Sequence, residues 1–373
     1  MDARRQRRVL MTADTLGGVW SYAVELARSL DRRGISVALA TMGAPLTRNQ
    51  RAQLTGIRAL TLHESSYKLE WMQGAWPDVQ RAGDWLLQLE RELAPDLVHL
   101  NQFAFGALPF SAPTLVVAHS CVLSWWRAVH GAPAPAAWDR YRHEVGQGLA
   151  GAGLVAAPTR AMLQTLQHNY GYARPGQVLS NGRSGAEFKP AAKQPCILAA
   201  GRLWDEGKNL AALDAVAPQL PWPVRLAGST SHPDGGSVLP AWVCCLGELA
   251  TPALAQQLAQ AAIYALPARY EPFGLSVLEA ALSGCALVLG DIPSLREVWG
   301  PAALYVAPED RGALEKTLAR LIARPAERSR LGQAARLRAQ HFTPERMASA
   351  YLQAYARLAP GFAGAPGREV LCA

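Results

Sequence analysis

The sequence predicts an α/β protein built from two doubly wound parallel sheets. Three observations carry that expectation. The chain has 373 residues, more than one hydrophobic core usually supports, so two domains are expected. Half of the residues are apolar, enough for two large cores. Short apolar runs alternate with helix-length segments, and this β-α alternation, the mark of parallel sheets covered by helices, occurs twice.

In the first half, RVLMTA near residue 10, ISVALAT near 38, DLVHLN near 98, TLVVAHS near 116 and GLVAAPT near 155 read as strands. SYAVELARSL and VQRAGDWLLQLERELAP read as helices between them. The second half repeats the style with CILAAG, VRLAGS, AIYALPA, ALVLGD and ALYVAPE, and with helices such as LAALDAVAPQL. The polar, Pro/Gly-bearing stretch NGRSGAEFKPAAKQP at 181–195 marks the boundary. The expectation is two Rossmann-like domains facing each other, over residues 1–185 and 186–344. A last helix falls near RMASAYLQAYARL, about 345–360, and the tail 361–373 reads as loosely ordered.

The formal charge is +8. Lys and Arg number 19 against 13 Asp and Glu in residues 1–185, and 18 against 16 in the remainder. An Arg-rich solvated surface accounts for this; an anionic ligand or contact with an anionic membrane surface is the sharper reading. No long Lys/Arg run points to nucleic acid. No stretch approaches the roughly 20 apolar residues of a membrane span. The apolar part of MDARRQRRVLMTAD is too short for a signal peptide, so a cytoplasmic protein is expected. Cys121, Cys196, Cys244, Cys245, Cys285 and Cys372 form no C-x-x-C pair. Buried free thiols are expected, with neither a disulfide framework nor a metal site.

Ligands of doubly wound folds lie at the carboxyl ends of the strands, so strand-to-loop junctions are where chemistry is expected. The richest is YEPFGLSVLEAALSG, which follows the strand AIYALPA. A helix starting near Leu275 exposes the N–H groups of Phe273, Gly274, Leu275 and Ser276, a natural anion site. Glu279 shares the face of Leu275 and Ser276. It suits the two hydroxyls of a ribose, and Glu271, ahead of the helix, suits another hydroxyl-rich group. Phosphate between ribose and polyol describes a nucleotide sugar. The plainer reading is that Glu271 favours the helix dipole and Glu279 is a partly exposed helix residue.

In CILAAGRLWDEGKNL, Arg202 and Lys208 follow a strand end and suit a diphosphate. Alternatively, they pair locally with Asp205 and Glu206. In ADTLGGVWSYAVELA, Gly17 and Gly18 let the backbone approach a ligand closely, although neither G-x-G-x-x-G nor a Walker loop is present. His119 ends TLVVAHS; a lone His is more often a residue with structural partners than a functional one. Seven of the eleven tryptophans precede residue 140, and Trp20, Trp71, Trp125 and Trp126 fall near expected loops, where aromatic faces stack on sugar rings. Core packing accounts for most of them.

Together these residues resemble the retaining glycosyltransferases of family 4, of the GT-B fold. The likeness runs over nearly the whole chain: GGVW, AHS, APT at 157–159, NG at 181–182, GRLWDEGKN, LGEL at 246–249, and EPFGLSVLEA, which carries the family's E-x7-E element. The resemblance implies that Arg202 and Lys208 hold the donor diphosphate, that Glu271 and the 273–276 backbone meet the sugar and phosphate, and that Glu279 holds the ribose. It places Gly17 and Gly18 over the phosphates, His119 near the reacting face and Leu249 near the base. It also implies that the last helix crosses back onto the N-terminal domain. Many members read NG-V-D where this chain has Asn181-Gly182-Arg183-Ser184, and Lys-Gly where it has Lys208-Asn209.

The implied activity is a hexosyl- or glycosyltransferase that moves a sugar from a nucleotide-diphosphate sugar to a hydroxyl acceptor. The UDP-sugar is expected first and the GDP-sugar next, without metal or other cofactor, and with His119, Arg202, Lys208 and Glu271 as catalytic residues. The acceptor is expected in the N-terminal half, among Trp20, Lys68, Glu70, Trp71, Trp125, Trp126 and Arg127. Another GT-B activity, such as a sugar-nucleotide epimerase or a phosphorylase, and an inactive nucleotide-sugar-binding protein stay open.

Overall fold

The computed structural model describes residues 6–362. The first sheet contains β1 (Arg8–Asp14), β2 (Ser36–Met42), β3 (Leu60–Glu64), β4 (Leu97–Leu100), β5 (Thr114–Val117), β6 (Leu154–Ala157) and β7 (Gln177–Val178). Its order is β3-β2-β1-β4-β5-β6-β7. The second contains β8 (Gln194–Ala200), β9 (Val224–Ala227), β10 (Cys244–Gly247), β11 (Ala261–Leu266), β12 (Ala286–Gly290) and β13 (Leu304–Val306). Its order is β10-β9-β8-β11-β12-β13. The ladders are parallel in both sheets, for example Leu10 opposite Ala38 and Ile263 opposite Ile197.

Helices cover both sheets. On the first lie α1 (Gly18–Asp31), α2 (Arg48–Gln53), α3 (Trp76–Leu93), α4 (Val122–His130), α5 (Asp139–Gly151) and α6 (Arg160–Tyr170). On the second lie α7 (Leu210–Val216), α8 (Thr251–Gln260), α9 (Leu275–Leu282), α10 (Pro293–Trp299), α11 (Arg311–Ala323) and α12 (Pro325–Ala339). Central strands are covered on both faces, which is why β1 and β11 read as unbroken apolar runs rather than alternating ones. The edge strands β3 and β7 are half-exposed, lack such a run, and went unrecognised in the sequence. α3 starts with Pro77 in its first turn and lays Val79, Ala82, Leu86 and Leu89 against the sheet as one stripe.

The final helix, α13 (Pro344–Leu358), packs on α1 of the first sheet and buries Met347, Tyr351 and Tyr355 there. Gly182 makes that crossing fit: a Cβ on it would lie 2.3 Å from the Thr343 carbonyl oxygen. His99, buried in β4, reaches the Tyr355 hydroxyl at 2.6 Å and the Tyr22 hydroxyl at 3.2 Å. Residues 363–373 of the expected loose tail, and Cys372 with them, lie outside the described residues. Phe362 is buried against the first domain, so the tail does not begin at 361. Cys121, Cys196 and Cys285 are buried, but Cys244 and Cys245 are exposed, because β10 is an edge strand with little covering it. Among the described residues no helix is long and apolar enough to cross a membrane.

Candidate functional site

In each sheet the strand order reverses beside its first strand, between β1 and β4 and between β8 and β11. These are the switch points at which doubly wound folds open a crevice. The candidate residues follow the carboxyl ends of these strands and of their neighbours, His119 after β5 and Leu249 after β10, and the two crevices face one another. A Cβ on Gly17 would lie 3.6 Å from Arg202 Nη1, and one on Gly18 3.5 Å from Leu275 Cδ1. Gly17 caps α1 at φ 82°, ψ −155°, backbone that only glycine adopts without strain.

On the second domain, Arg202 Nη2 donates to Asp205 Oδ2 at 2.6 Å, and its guanidinium lies 4.9 Å over the Trp204 ring. Burial alone would push the Asp205 carboxyl up, but the Arg202 and Lys208 cations hold it below the usual range. Lys208 closes a short 3-10 turn at Glu206–Lys208. Asn209 then takes a left-handed conformation at φ 54°. Asn tolerates that region, and its amide donates to the Pro267 and Pro308 carbonyls at 2.9 and 2.8 Å. The Lys-Asn departure therefore keeps the turn that aims Lys208.

Lys208 Nζ lies 2.6 Å from Glu271 Oε2, while Glu271 Oε1 accepts from the Gly274 N–H at 2.9 Å. Gly274 caps α9 at φ 88°. The Phe273 side chain is core, so only its backbone is offered to the crevice. The Tyr264 hydroxyl lies 2.8 Å from Ser276 Oγ and 3.1 Å from the Ala200 carbonyl oxygen, which holds Ser276 at the start of α9. The APT stretch braces this turn: Thr159 caps α6, and its hydroxyl donates to the Pro272 carbonyl at 3.0 Å. Glu279 is buried, not partly exposed, and is paired with Arg183 at 2.9 Å. Leu249 packs half-buried against the second core, after the carboxyl end of β10.

On the first domain, His119 Nε2 lies 2.8 Å from Asn101 Oδ1, and its ring packs 4.4 Å from Tyr22. Asn101 Nδ2 is committed to the Thr12 carbonyl at 2.6 Å, so its oxygen faces the histidine and Nε2 carries the proton. Burial depresses the His119 pKa to about 3, so the ring is neutral, and its acceptor Nδ1 has no hydrogen-bond partner among the described residues. Asp14, ending β1, accepts from Gln102 Nε2, and the other atom of that buried amide, Oε1, has no partner among the described residues. Burial raises the Asp14 carboxyl to about 7, opposed by Gln102 and Arg202 and reinforced by Glu70.

The structure gives several residues of the expected acceptor set partners that the sequence did not show. Trp20 is not in a loop: it lies in α1, buried, with its ring N–H on Gln53 Oε1 at 2.6 Å. Glu70 is buried with both oxygens spent on the Phe103 and Ala104 N–H groups, so it is a cap for the turn after β4 rather than a grip on a hydroxyl. Trp71 and Trp126 pack half-buried on the first core. Trp125 spans the crevice, donating to Asp205 Oδ1 at 2.8 Å. Lys68 and Arg127 remain exposed, Lys68 holding the Gln73 carbonyl.

Asp14, Asn101, Gln102, Arg183 and Asp205 escaped the sequence reading. Applying the strand-end rule to TAD and to LNQ would have found the first three. Arg183 was visible only as a departure from the family pattern, and Asp205 only as a neighbour of Arg202.

Residues 16–184 match the model described as Glycosyltransferase Family 4, and residues 238–338 that described as Glycosyl transferases group 1. The chain belongs to the GT-B glycosyltransferases. Among curated proteins, this glycosyltransferase is 40% identical over 89 residues to an MMP alpha-(1->4)-mannosyltransferase of Mycolicibacterium hassiacum, covering 23% of this chain and 22% of the relative. It is 38% identical over 93 residues to a glycogen synthase of Mycobacterium tuberculosis, covering 24% and 22%. The matched stretch is thus about a fifth of those relatives. The fold is shared with sucrose-phosphate synthase of Thermosynechococcus elongatus: TM-score 0.80, 19% identity, 94% of this glycosyltransferase and 99% of that chain. It is shared also with Anabaena HepE, solved with UDP and glucose: TM-score 0.73, 16% identity, 94% and 100%.

Proposed function

We propose that the protein transfers a sugar, with retention, from a nucleotide-diphosphate sugar to an acceptor hydroxyl, and needs no metal to do so. The observation that carries this reading is the convergence of Arg202, Lys208 and the N-terminus of α9 on the Gly17–Gly18 turn. Two cations, the N–H groups at the start of α9 and a side-chain-free loop opposite them suit a diphosphate. The UDP and glucose bound by HepE are consistent with it, and a UDP-sugar is the first donor to try.

In this reading the diphosphate lies between Arg202 and Lys208, with Asp205 keeping Arg202 in place. The sugar reaches Glu271, the ribose Glu279, and the base the turn at Leu249. The acceptor oxygen attacks the anomeric carbon on the face the diphosphate leaves. The C1–O bond to phosphate breaks as the new glycosidic bond forms, and the acceptor proton passes to a leaving-phosphate oxygen. Arg202 and Lys208 stabilise the charge that develops there. His119, neutral, contributes Nδ1 as a hydrogen-bond acceptor and not as a titrating base. The acceptor is placed at the carboxyl ends of β1, β4 and β5, beside Asp14 and His119.

Incubation of the purified chain with a panel of nucleotide sugars tests this. Slow release of sugar and nucleoside diphosphate from one donor, with the anomeric configuration kept on transfer to added acceptors, is the expected result. Cleavage to a sugar 1-phosphate, epimerisation, or inertness toward every donor contradicts it.

A further inference from the structure

Arg183 stands where α1 and α9 meet. Its Nε donates to Glu279 Oε1 at 2.9 Å and its Nη1 to Glu25 Oε2 at 3.1 Å, with Glu187 at 3.8 Å. The guanidinium lies 5.1 Å over the Phe188 ring. All three members of the Glu25–Arg183–Glu279 set are at least nine-tenths buried at the side chain. They come from three places: Glu25 from α1, Arg183 from the segment joining the domains, and Glu279 from α9.

The two helices meet at their starts, where Gly18 approaches Leu275. Glu25 lies seven residues beyond Gly18, and Glu279 four beyond Leu275, so each carboxylate is on the face of its helix that carries the contact. Arg183 therefore joins the helix that carries the phosphate-facing turn to the helix that carries the ribose-facing carboxylate. It also leaves a defined vacancy. Glu279 Oε1 is taken by Arg183, and Oε2 accepts no hydrogen bond among the described residues.

We infer that Arg183 is a positioning residue for the nucleotide. It fixes the Glu279 carboxylate so that one oxygen is presented to the ribose hydroxyls, keeps it ionised in a buried place, and ties it through Glu25 to α1. The inference rests on the reading of Glu279 as the ribose ligand. A buried carboxylate without a partner gives up its charge, and a protonated Glu279 would lose half of its acceptor capacity. Burial does push the Glu279 carboxyl up, and the Arg183 cation is what opposes it. The other titratable groups facing Glu279 are Glu25 and Glu187, which push the same way as burial, and Tyr264 of β11. Among the described residues no other cation opposes burial at this carboxyl.

The test compares UDP with 2′,3′-dideoxy-UDP by calorimetry on the full chain at pH 8 and pH 6. GDP and its dideoxy form replace them if the chain prefers guanosine. Taking the ratio of the two affinities cancels the titration of the phosphates. The wild type should favour the ribose form about tenfold or more at both pH values. Glu279→Ala should abolish the preference at both. Arg183→Met should keep part of it at pH 8 and lose it at pH 6, and Arg183→Lys should restore a pH-independent preference. Arg183→Gln, which keeps a donor but no charge, replaces Arg183→Met if that variant fails to fold. If Glu279→Ala abolishes the preference while the neutral Arg183 variant matches the wild type at both pH values, the role of Arg183 is wrong and the ribose reading stands. If Glu279→Ala leaves the preference intact, the ribose reading itself is wrong.

Discussion

Lys208 Nζ and Glu271 Oε2 are 2.6 Å apart, and the second oxygen of that carboxylate caps the first N–H of the α9 turn. One carboxylate thus stands on two of the donors that an anionic ligand would use. A bound diphosphate must share Lys208 with Glu271, and this competition separates the two glutamates of the E-x7-E element. Glu271→Ala is expected to leave the affinity for free nucleoside diphosphate nearly intact, because an anionic competitor is removed along with any contact. Its loss should appear in turnover, about a hundredfold, where orientation of the sugar matters. Glu279→Ala should weaken the free diphosphate by about 1.5–3 kcal/mol. Calorimetry with the diphosphate and initial rates with the sugar donor distinguish them; the opposite pattern means the two roles are exchanged.

Arg202 and Lys208 are expected to take the place of a metal in stabilising the leaving group. Transfer should therefore survive excess EDTA. Activity abolished by EDTA and restored by magnesium or manganese would contradict this account of the leaving group.

Asp14 makes stability depend on pH in a definite direction. Burial raises its pKa from 3.8 to about 7, so the folded state binds a proton that the unfolded state releases between pH 4 and 7. Its contribution to stability is present below the unfolded pKa and is lost as pH rises through about 7. Asp14→Asn removes that loss. The melting temperature of Asp14→Asn minus that of the wild type should be higher at pH 8 than at pH 5, by several degrees. His99 and His119, whose pKa values burial depresses to about 3, act in the opposite sense below pH 6.5 and cancel in that difference. A pH-independent difference would show that Asp14 is not perturbed.

The tryptophans divide by what they touch. Trp71→Ala and Trp126→Ala should each lower the melting temperature, since both side chains pack on the first core. Trp125→Phe should leave the fold intact and remove the 2.8 Å bond to Asp205, worth about 1 kcal/mol. The expected readout is a several-fold loss in kcat/KM for the donor with little change in melting temperature. A loss confined to acceptor KM would return Trp125 to the acceptor pocket.

The central strands were legible because burial on both faces writes them as continuous apolar runs, as in β1, β8 and β11. β3 and β7 were not, because an edge strand needs no such run. On the donor side Arg202, Lys208 and Glu271 lie where the sequence placed them, after the carboxyl ends of strands that it also named. On the acceptor side the surroundings of two residues were not legible, for a physical reason. Trp20 and Glu70 look free in the sequence, but long-range partners claim them, Gln53 for one and the 103–104 backbone for the other. Such pairings depend on how distant segments meet, and no local spacing records them. Arg183 is the same case, joining residues 158 and 96 positions away.

Titration of the full chain with UDP, GDP and the matching monophosphates, in wild type and Lys208→Ala, tests the central claim that the facing switch points hold a nucleoside diphosphate. The account predicts that one diphosphate binds the wild type with one-to-one stoichiometry, and that Lys208→Ala weakens it about tenfold or more while scarcely changing the monophosphate. Failure of either diphosphate to bind, or equal binding to wild type and Lys208→Ala, would contradict it.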